Sequence, residues 1–232
     1  MKNLAVITAR GGSKRIPCKN IKEFCGKPII AYSIRAAIES GIFDVVMVST
    51  DSEEIAEISR KYGATIPFMR SVITSDDYAT TMDVVKEVIN EFENRGEIFD
   101  TCVCIYPTAP FVNATKLRTA IERYYDTTEE ADALFPIVRF SYPPQRCYIV
   151  EDGLLKYKWP ENYAKRSQDL EPYYHDAGQF YIYNVESVKS KDIQEWNIIP
   201  YEIDELEVQD IDTVNDWKMA EIKYKMMISK GI

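Results

Sequence analysis

Leu4-Ala-Val-Ile-Thr-Ala-Arg-Gly-Gly-Ser-Lys-Arg-Ile-Pro-Cys-Lys-Asn20 is an apolar run that empties directly into a glycine pair and then into a cluster of cations. Residues 3–9 read as a buried strand, because an unbroken apolar run suits a parallel strand covered on both faces. Gly11 and Gly12 then allow a tight turn. Backbone N–H groups in such a turn can form an anion nest. Ser13 adds a hydroxyl, and Arg10, Lys14, Arg15 and Lys19 supply charge-assisted donors. The segment has neither the spacing of the dinucleotide fingerprint nor that of a Walker A loop. A polyphosphate grip and a plain structural turn are therefore both open at this point.

The bulk properties narrow the partners. The 232 residues carry a net charge of −9, which argues against a duplex nucleic acid, since that would want a broad basic footprint. A small anion is still permitted, because local charge governs such a site. The sequence contains no apolar run long enough to span a bilayer. No secretory leader is expected before the first strand, so a cytoplasmic protein is expected. The five cysteines form an odd set without a zinc-ligand spacing, which favours reduced thiols. Cys102 and Cys104 are two apart in an apolar strand and are expected to pack into one face of a sheet.

Outward from the first strand, the pattern alternates. A helix is expected after Pro28, with Ile30, Ile34, Ala37 and Ile38 on its apolar stripe and Gly41 at its end. Val45 to Val48 reads as the next strand, and Asp51 as the cap of the following helix, with Glu54 closing a capping box. Ile55, Ile58 and Tyr62 are its inward residues and Gly63 its stop. A short strand is expected at 65–68, a helix at 81–93, a strand at 101–105 and a helix at 114–124. Past Phe140 the rhythm stops, and Ser141 to Tyr183 is rich in Tyr, Pro and charge. That stretch reads as a lobe or an arm against a partner subunit. Strands return at 180–183 and 198–201, and a last helix starts at Thr213 with Asp216 closing its box. The fold class is α/β, a Rossmann-like mostly parallel sheet with helices on both faces, in a single domain over 1–232. Ligands in such folds sit at the carboxyl ends of the strands, which puts Arg10 to Ser13, Thr50-Asp51 and Tyr106 to Pro110 on one rim.

Other residues carry chemistry with open alternatives. Asp210 and Asp212 are two apart in an extended segment, so both carboxylates point one way while Ile211 turns inward. Such a pair attracts a hard divalent cation beside phosphates, or it is a solvated strand end. His175 is the single histidine; it reads as a general base, a substrate contact or a structural group. Thr80 and Thr81 precede a helix, as caps or as donors to an anion. Arg70 can reach the same rim.

Together these segments resemble the acylneuraminate/KDO cytidylyltransferases, which activate acidic sugars as CMP conjugates. The resemblance runs over nearly the whole chain: Ala9-Arg-Gly-Gly-Ser-Lys14 with Lys19-Asn20, Gly26-Lys-Pro28, Ser49-Thr-Asp51, Pro107-Thr-Ala-Pro110 and Gln209-Asp-Ile-Asp212. Arg166-Ser-Gln-Asp-Leu170 followed by His175-Asp-Ala-Gly-Gln-Phe180 is similar to the pseudaminic acid branch, and Tyr106 stands where the sialic acid branch usually has Gln. The resemblance implies a nucleotide-diphospho-sugar transferase type of fold. It implies that Arg10, Gly11, Gly12, Ser13, Lys14 and Asn20 hold CTP, that Arg70, Thr80 and Thr81 line the cytidine side, and that Asp210 and Asp212 hold Mg²⁺. Arg10, Lys14, Asp210 and Asp212 would be the catalytic set. Tyr106, Arg146, Arg166, His175 and Gln179 would face a nine-carbon sugar acid. The 141–180 segment would be a dimerisation lobe that also contacts the sugar, in a homodimer or a tetramer. The implied reaction joins CTP to pseudaminic acid and releases pyrophosphate. The alternatives are N-acetylneuraminic, legionaminic or KDO acid as the sugar, and, in other classes, a metal-dependent glycosyltransferase or a non-catalytic nucleotide binder.

Overall fold

A computed structural model describes residues 1–127 and 131–229. In chain order it contains β1 (Asn3–Thr8), β2 (Glu23–Phe24), β3 (Lys27–Pro28), α1 (Ile30–Ser40), β4 (Val45–Ser49), α2 (Glu53–Lys61), α3 (Thr81–Asn94), β5 (Thr101–Ile105), α4 (Ala114–Asp126) and β6 (Ala133–Arg139). There follow β7 (Tyr148–Glu151), β8 (Leu154–Tyr157), β9 (Tyr174–Asp176), β10 (Phe180–Asn184), α5 (Val185–Ser190), β11 (Ile198–Glu202) and α6 (Val214–Ser229). The main sheet has seven strands in the order β11-β6-β10-β5-β1-β4, with β9 added beside β6. β4, β1 and β5 pair in parallel, as do β6 and β11; β10 runs against both of its neighbours and β9 against β6.

Alternation along the strands divides the core in two. Ala5 and Ile7 of β1, Val103 and Ile105 of β5, and Phe180 and Ile182 of β10 pack with α1, α2 and α4. Leu4 and Val6, Cys102 and Cys104, and Tyr181 and Tyr183 pack on the other face with α3 and α5. The expected mostly parallel sheet with helices on both faces is therefore present. Cys102 and Cys104 are fully buried on one face, as their spacing predicted, and all five cysteines are free thiols.

A third cluster matters most for the site. Ile16 of the glycine loop, Phe24 of β2, and Ile211, Trp217 and Ala220 near the C-terminus share one apolar nucleus. Phe24 meets Trp217, Tyr32 and Tyr224 edge to face, with centroids 5.5, 5.6 and 5.5 Å away. Such pairings add to simple area burial. Here they fasten the first loop to the last helix.

Several local expectations are corrected. Ser52, not Asp51, caps α2, its hydroxyl accepting the Ile55 N–H; the Asp51 carboxylate is engaged by the glycine loop instead. No strand forms at 65–68. Thr65 makes one bridge to Met47, and Pro67 lacks the N–H a longer ladder would need. Ile38 is 42% exposed rather than part of the buried stripe of α1. Within the 141–180 stretch, β7 and β8 form a separate hairpin, while β9 joins the main sheet through Val138 and His175. Gly41 does end α1, in the left-handed conformation at φ 67°. The capping box of α6 forms as read, between Thr213 and Asp216, and Thr80 caps α3 in a box with Asp83 that was not read.

Candidate active site

The site lies at the carboxyl ends of β1, β4 and β5. The Ala9 N–H still pairs with the Ser49 carbonyl at 2.9 Å, and the chain leaves the sheet only at Arg10. The Gly11 N–H then donates to Asp51 Oδ1 at 2.8 Å. A Cβ on Gly11 would lie 3.1 Å from the Ser52 Cβ, so this close approach asks for glycine, whereas Gly12 faces open space. Ser13 N–H donates to the Gly11 carbonyl at 3.0 Å. Two of the loop's N–H groups are thus already engaged, one by Asp51 and one within the loop, and side-chain cations carry most of its capacity to hold an anion. Asn20 is buried, and its amide donates to the Arg10 carbonyl at 2.9 Å.

A cavity of about 500 Å³ opens over this rim, lined by Arg10, Ser13, Lys14, Asn20, Arg70, Thr80, Thr81 and Tyr106 among others. Nearly the whole nucleotide set read from the sequence is therefore brought together. Arg70 is 8% exposed and donates to the Ser49 carbonyl at 2.7 Å and the Ser49 hydroxyl at 3.0 Å. Burial lowers its pKa from the ordinary arginine value, opposed by the Asp51 and Glu87 carboxylates. The Thr80 hydroxyl caps α3, and the Thr81 hydroxyl lies 3.3 Å from the Tyr106 hydroxyl.

One participant was not read from the sequence. Asp77 pairs with both Arg10, at 2.8 Å, and Lys14. These contacts hold its carboxyl below the usual aspartate range, the Lys14 hydrogen bond contributing most. Nothing in Ser75-Asp-Asp-Tyr78 announces it, because the pairing spans more than sixty residues.

A second cavity, about 490 Å³, shares Tyr106 with the first and is lined by His175, Asp176, Tyr181, Glu205, Asp210 and Lys223 among others. The Tyr181 hydroxyl donates to Asp176 at 2.7 Å. The His175 ring lies over Phe140 with centroids 4.9 Å apart, and its Nδ1 is 2.9 Å from the Asp176 carbonyl. Asp210 lines this second cavity, and Asp212 pairs with Arg15 and Lys19, which line the first. Asp212 accepts from Arg15 at 2.7 Å and lies 3.6 Å from Lys19, whose ammonium also donates to the Ile211 carbonyl at 2.7 Å. Desolvation, and next the neighbouring Asp212 charge, raise the Asp210 pKa above its usual value. Two hard oxygen donors that repel each other suit a divalent cation. No third His, Cys, Asp or Glu completes a metal-ligand group with them among the described residues.

Three predicted sugar contacts lie outside both cavities. Gln179 is 3% exposed; its amide donates to the Glu207 carbonyl, and its Oε1 is without a partner among the described residues. Arg166 pairs with Asp169 at 2.8 Å, and Arg146 donates to the Ser167 hydroxyl at 3.4 Å, both on the exposed lobe.

Fold and site together define an α/β protein built to hold an anionic ligand at a strand-end rim, with paired carboxylates beside it. The chain belongs to the cytidylyltransferase family, whose profile, described as "Cytidylyltransferase", matches residues 4–195. A pseudaminic acid cytidylyltransferase of Campylobacter jejuni is 43% identical over 97% of both chains. A CMP-N,N'-diacetyllegionaminic acid synthase of Legionella pneumophila is 33% identical over 95% of both. A solved CMP:2-keto-3-deoxy-manno-octonic acid synthetase complexed with CTP shares the fold, with a TM-score of 0.71 at 18% identity over 99% of this chain and 100% of that one.

Proposed function

We propose that this protein couples CTP to pseudaminic acid, giving CMP-pseudaminic acid and pyrophosphate. The observation that carries the reading is the pairing of two cavities across Tyr106, one walled by cations and the other by Asp210 and His175. The 43% identity to the Campylobacter protein supports the choice of sugar. Arg10, Ser13 and Lys14 would hold the triphosphate, with Arg10 and Lys14 released from Asp77 as it enters. Asn20 would keep Arg10 in place through the Arg10 carbonyl. Arg70, Thr80 and Thr81 would line the cytidine side.

In the reaction, the C2 hydroxyl oxygen of the sugar acid bonds to the α-phosphorus of CTP while the bond from that phosphorus to the leaving pyrophosphate breaks. The hydroxyl proton passes to a base or to solvent. Asp210, in the wall of the second cavity, would orient that hydroxyl. Catalysis rests on alignment of the two substrates and on neutralising charge by Arg10 and Lys14. Asp210 and Asp212 would hold Mg²⁺, which when bound screens the phosphate charge.

The lobe would pair two copies into a homodimer. Tyr148, Val150, Leu154, Leu155 and Tyr163 are 51–72% exposed on one hairpin and its flank, an apolar surface that asks for a cover. Arg146 and Arg166 would then act across that contact. The test of the function is pyrophosphate release with CTP, Mg²⁺ and a panel of nonulosonic acids. Release with pseudaminic acid above all others is expected. Clear release with N-acetylneuraminic, legionaminic or KDO acid, and none with pseudaminic acid, would overturn the substrate while keeping the chemistry.

A further inference from the structure

The second cavity is walled by three carboxylates, Asp176, Glu205 and Asp210, yet it would have to receive an acidic sugar. Lys223 of α6 is the sole lysine or arginine in its lining. Two of the ammonium's three hydrogens are assigned, to the Val208 carbonyl at 2.7 Å and the Glu205 carbonyl at 3.1 Å. Lys223 makes no ion pair among the described residues, so its charge is half-buried with one donor left over.

The neighbouring acids are partly occupied. The Asp176 carboxylate accepts from the Gly178 N–H and the Tyr181 hydroxyl, and Glu205 accepts from the Ser141 hydroxyl at 3.2 Å. The backbone tether also fixes where the ammonium stands, because Val208 is two residues before Asp210.

We infer that Lys223 binds the substrate's carboxylate, and so determines that the second cavity accepts a 2-keto acid sugar rather than a neutral one. In such a sugar the carboxyl carbon is bonded directly to C2, the carbon bearing the attacking hydroxyl. A carboxylate held by Lys223 therefore leaves that hydroxyl on the Asp210 side of the cavity. The assignment rests on the reading that the second cavity takes the sugar acid.

The test uses the whole enzyme and its Lys223→Gln and Lys223→Met variants. Glutamine keeps an N–H donor for the backbone carbonyls but has no charge. Each protein is assayed for KM of CTP, KM of pseudaminic acid, and inhibition by the carboxyl-reduced alcohol of that sugar. The wild type should prefer acid over alcohol by about tenfold to a hundredfold, the range of a hydrogen bond to a charged group. Both variants should lose most of that preference while the KM for CTP stays within about twofold. An unchanged preference would overturn the assignment. So would equal weakening of acid and alcohol, which would make Lys223 only a brace for the 205–208 turn. The unmodified enzyme separates the two failures. No pyrophosphate from the wild type with pseudaminic acid defeats the substrate reading; turnover by the wild type with preference intact in the variants defeats the Lys223 assignment alone.

Discussion

Lys116 of α4 is 7% exposed at its side chain, where its ammonium lies 3.2 Å from Glu207 and donates to the Phe111 carbonyl at 3.1 Å. At that separation an effective dielectric of about 20 gives a gross attraction of about 5 kcal/mol. Burial nevertheless lowers the Lys116 pKa, desolvation outweighing Glu207. Taking the pair out of water thus consumes much of what the pair returns. Removing one partner of a buried pair still costs about 3–5 kcal/mol, because the other is stranded. Glu207 retains 22% exposure and can turn toward water. Lys116→Met should therefore cost about 2–3 kcal/mol, below that range. At about 2–4 °C per kcal/mol for a chain of this size, Tm should fall by about 4–12 °C. Lys116→Met combined with Glu207→Leu should recover to within about 1 kcal/mol of wild type, since an apolar pair replaces a desolvated one. Urea unfolding followed by circular dichroism measures both. A single variant losing less than about 0.5 kcal/mol, or a double variant weaker than the single, would refute the reasoning.

Three further outcomes are expected. Asp77→Asn frees Arg10 and Lys14 from their internal anion, so the KM for CTP should fall several-fold, with the gain shrinking at high salt; an unchanged or higher KM would show that Asp77 does not compete for them. Asp210 has a raised folded pKa, so the folded state holds its proton more tightly than the unfolded chain. Its contribution to stability is therefore fully present below the unfolded value of about 3.9 and is lost as pH rises through the higher folded value. In EDTA, wild type should therefore lose urea stability relative to Asp210→Asn as pH rises through that value; a difference that stays constant with pH would contradict the assignment. Thr80→Ala removes the cap of α3 and should cost about 1 kcal/mol in thermal unfolding; a cost near zero would mean that water serves the Asp83 N–H equally well.

Much of the fold was legible because it rests on local periodicity. The strand at 101–105 and the helix starting at Thr81 fall where alternation and capping put them. The lining of the first cavity was legible for the same reason: Arg10 to Lys14 follow one strand, Tyr106 follows another, and a parallel sheet aligns those ends. Contacts set by distant packing were not legible. Asp51 looked like a cap by its place before α2, but the Gly11 N–H, forty residues away, holds its carboxylate. Lys223 gave no sign, because a lysine on an amphipathic helix normally faces water. Gln179 sat in a telling motif yet turns into the protein, where the Glu207 carbonyl receives its amide. Ile16 looked like part of a basic loop, and its burial against Ile211 and Trp217 is what joins the two ends of the chain.

Across that junction, the proposed function divides the labour: the loop at 10–20 would grip the nucleotide, and the segment at 210–212 would serve the chemical step. The direct measurement compares wild type with the Asp210→Asn, Asp212→Asn double variant, determining CTP affinity in EDTA and turnover with Mg²⁺ and pseudaminic acid. With that division of labour, CTP affinity in EDTA should stay within a few-fold of wild type and turnover should fall by about a hundredfold or more, as for loss of a preorganised charged group in an active site. Turnover that survives in the variant would contradict it.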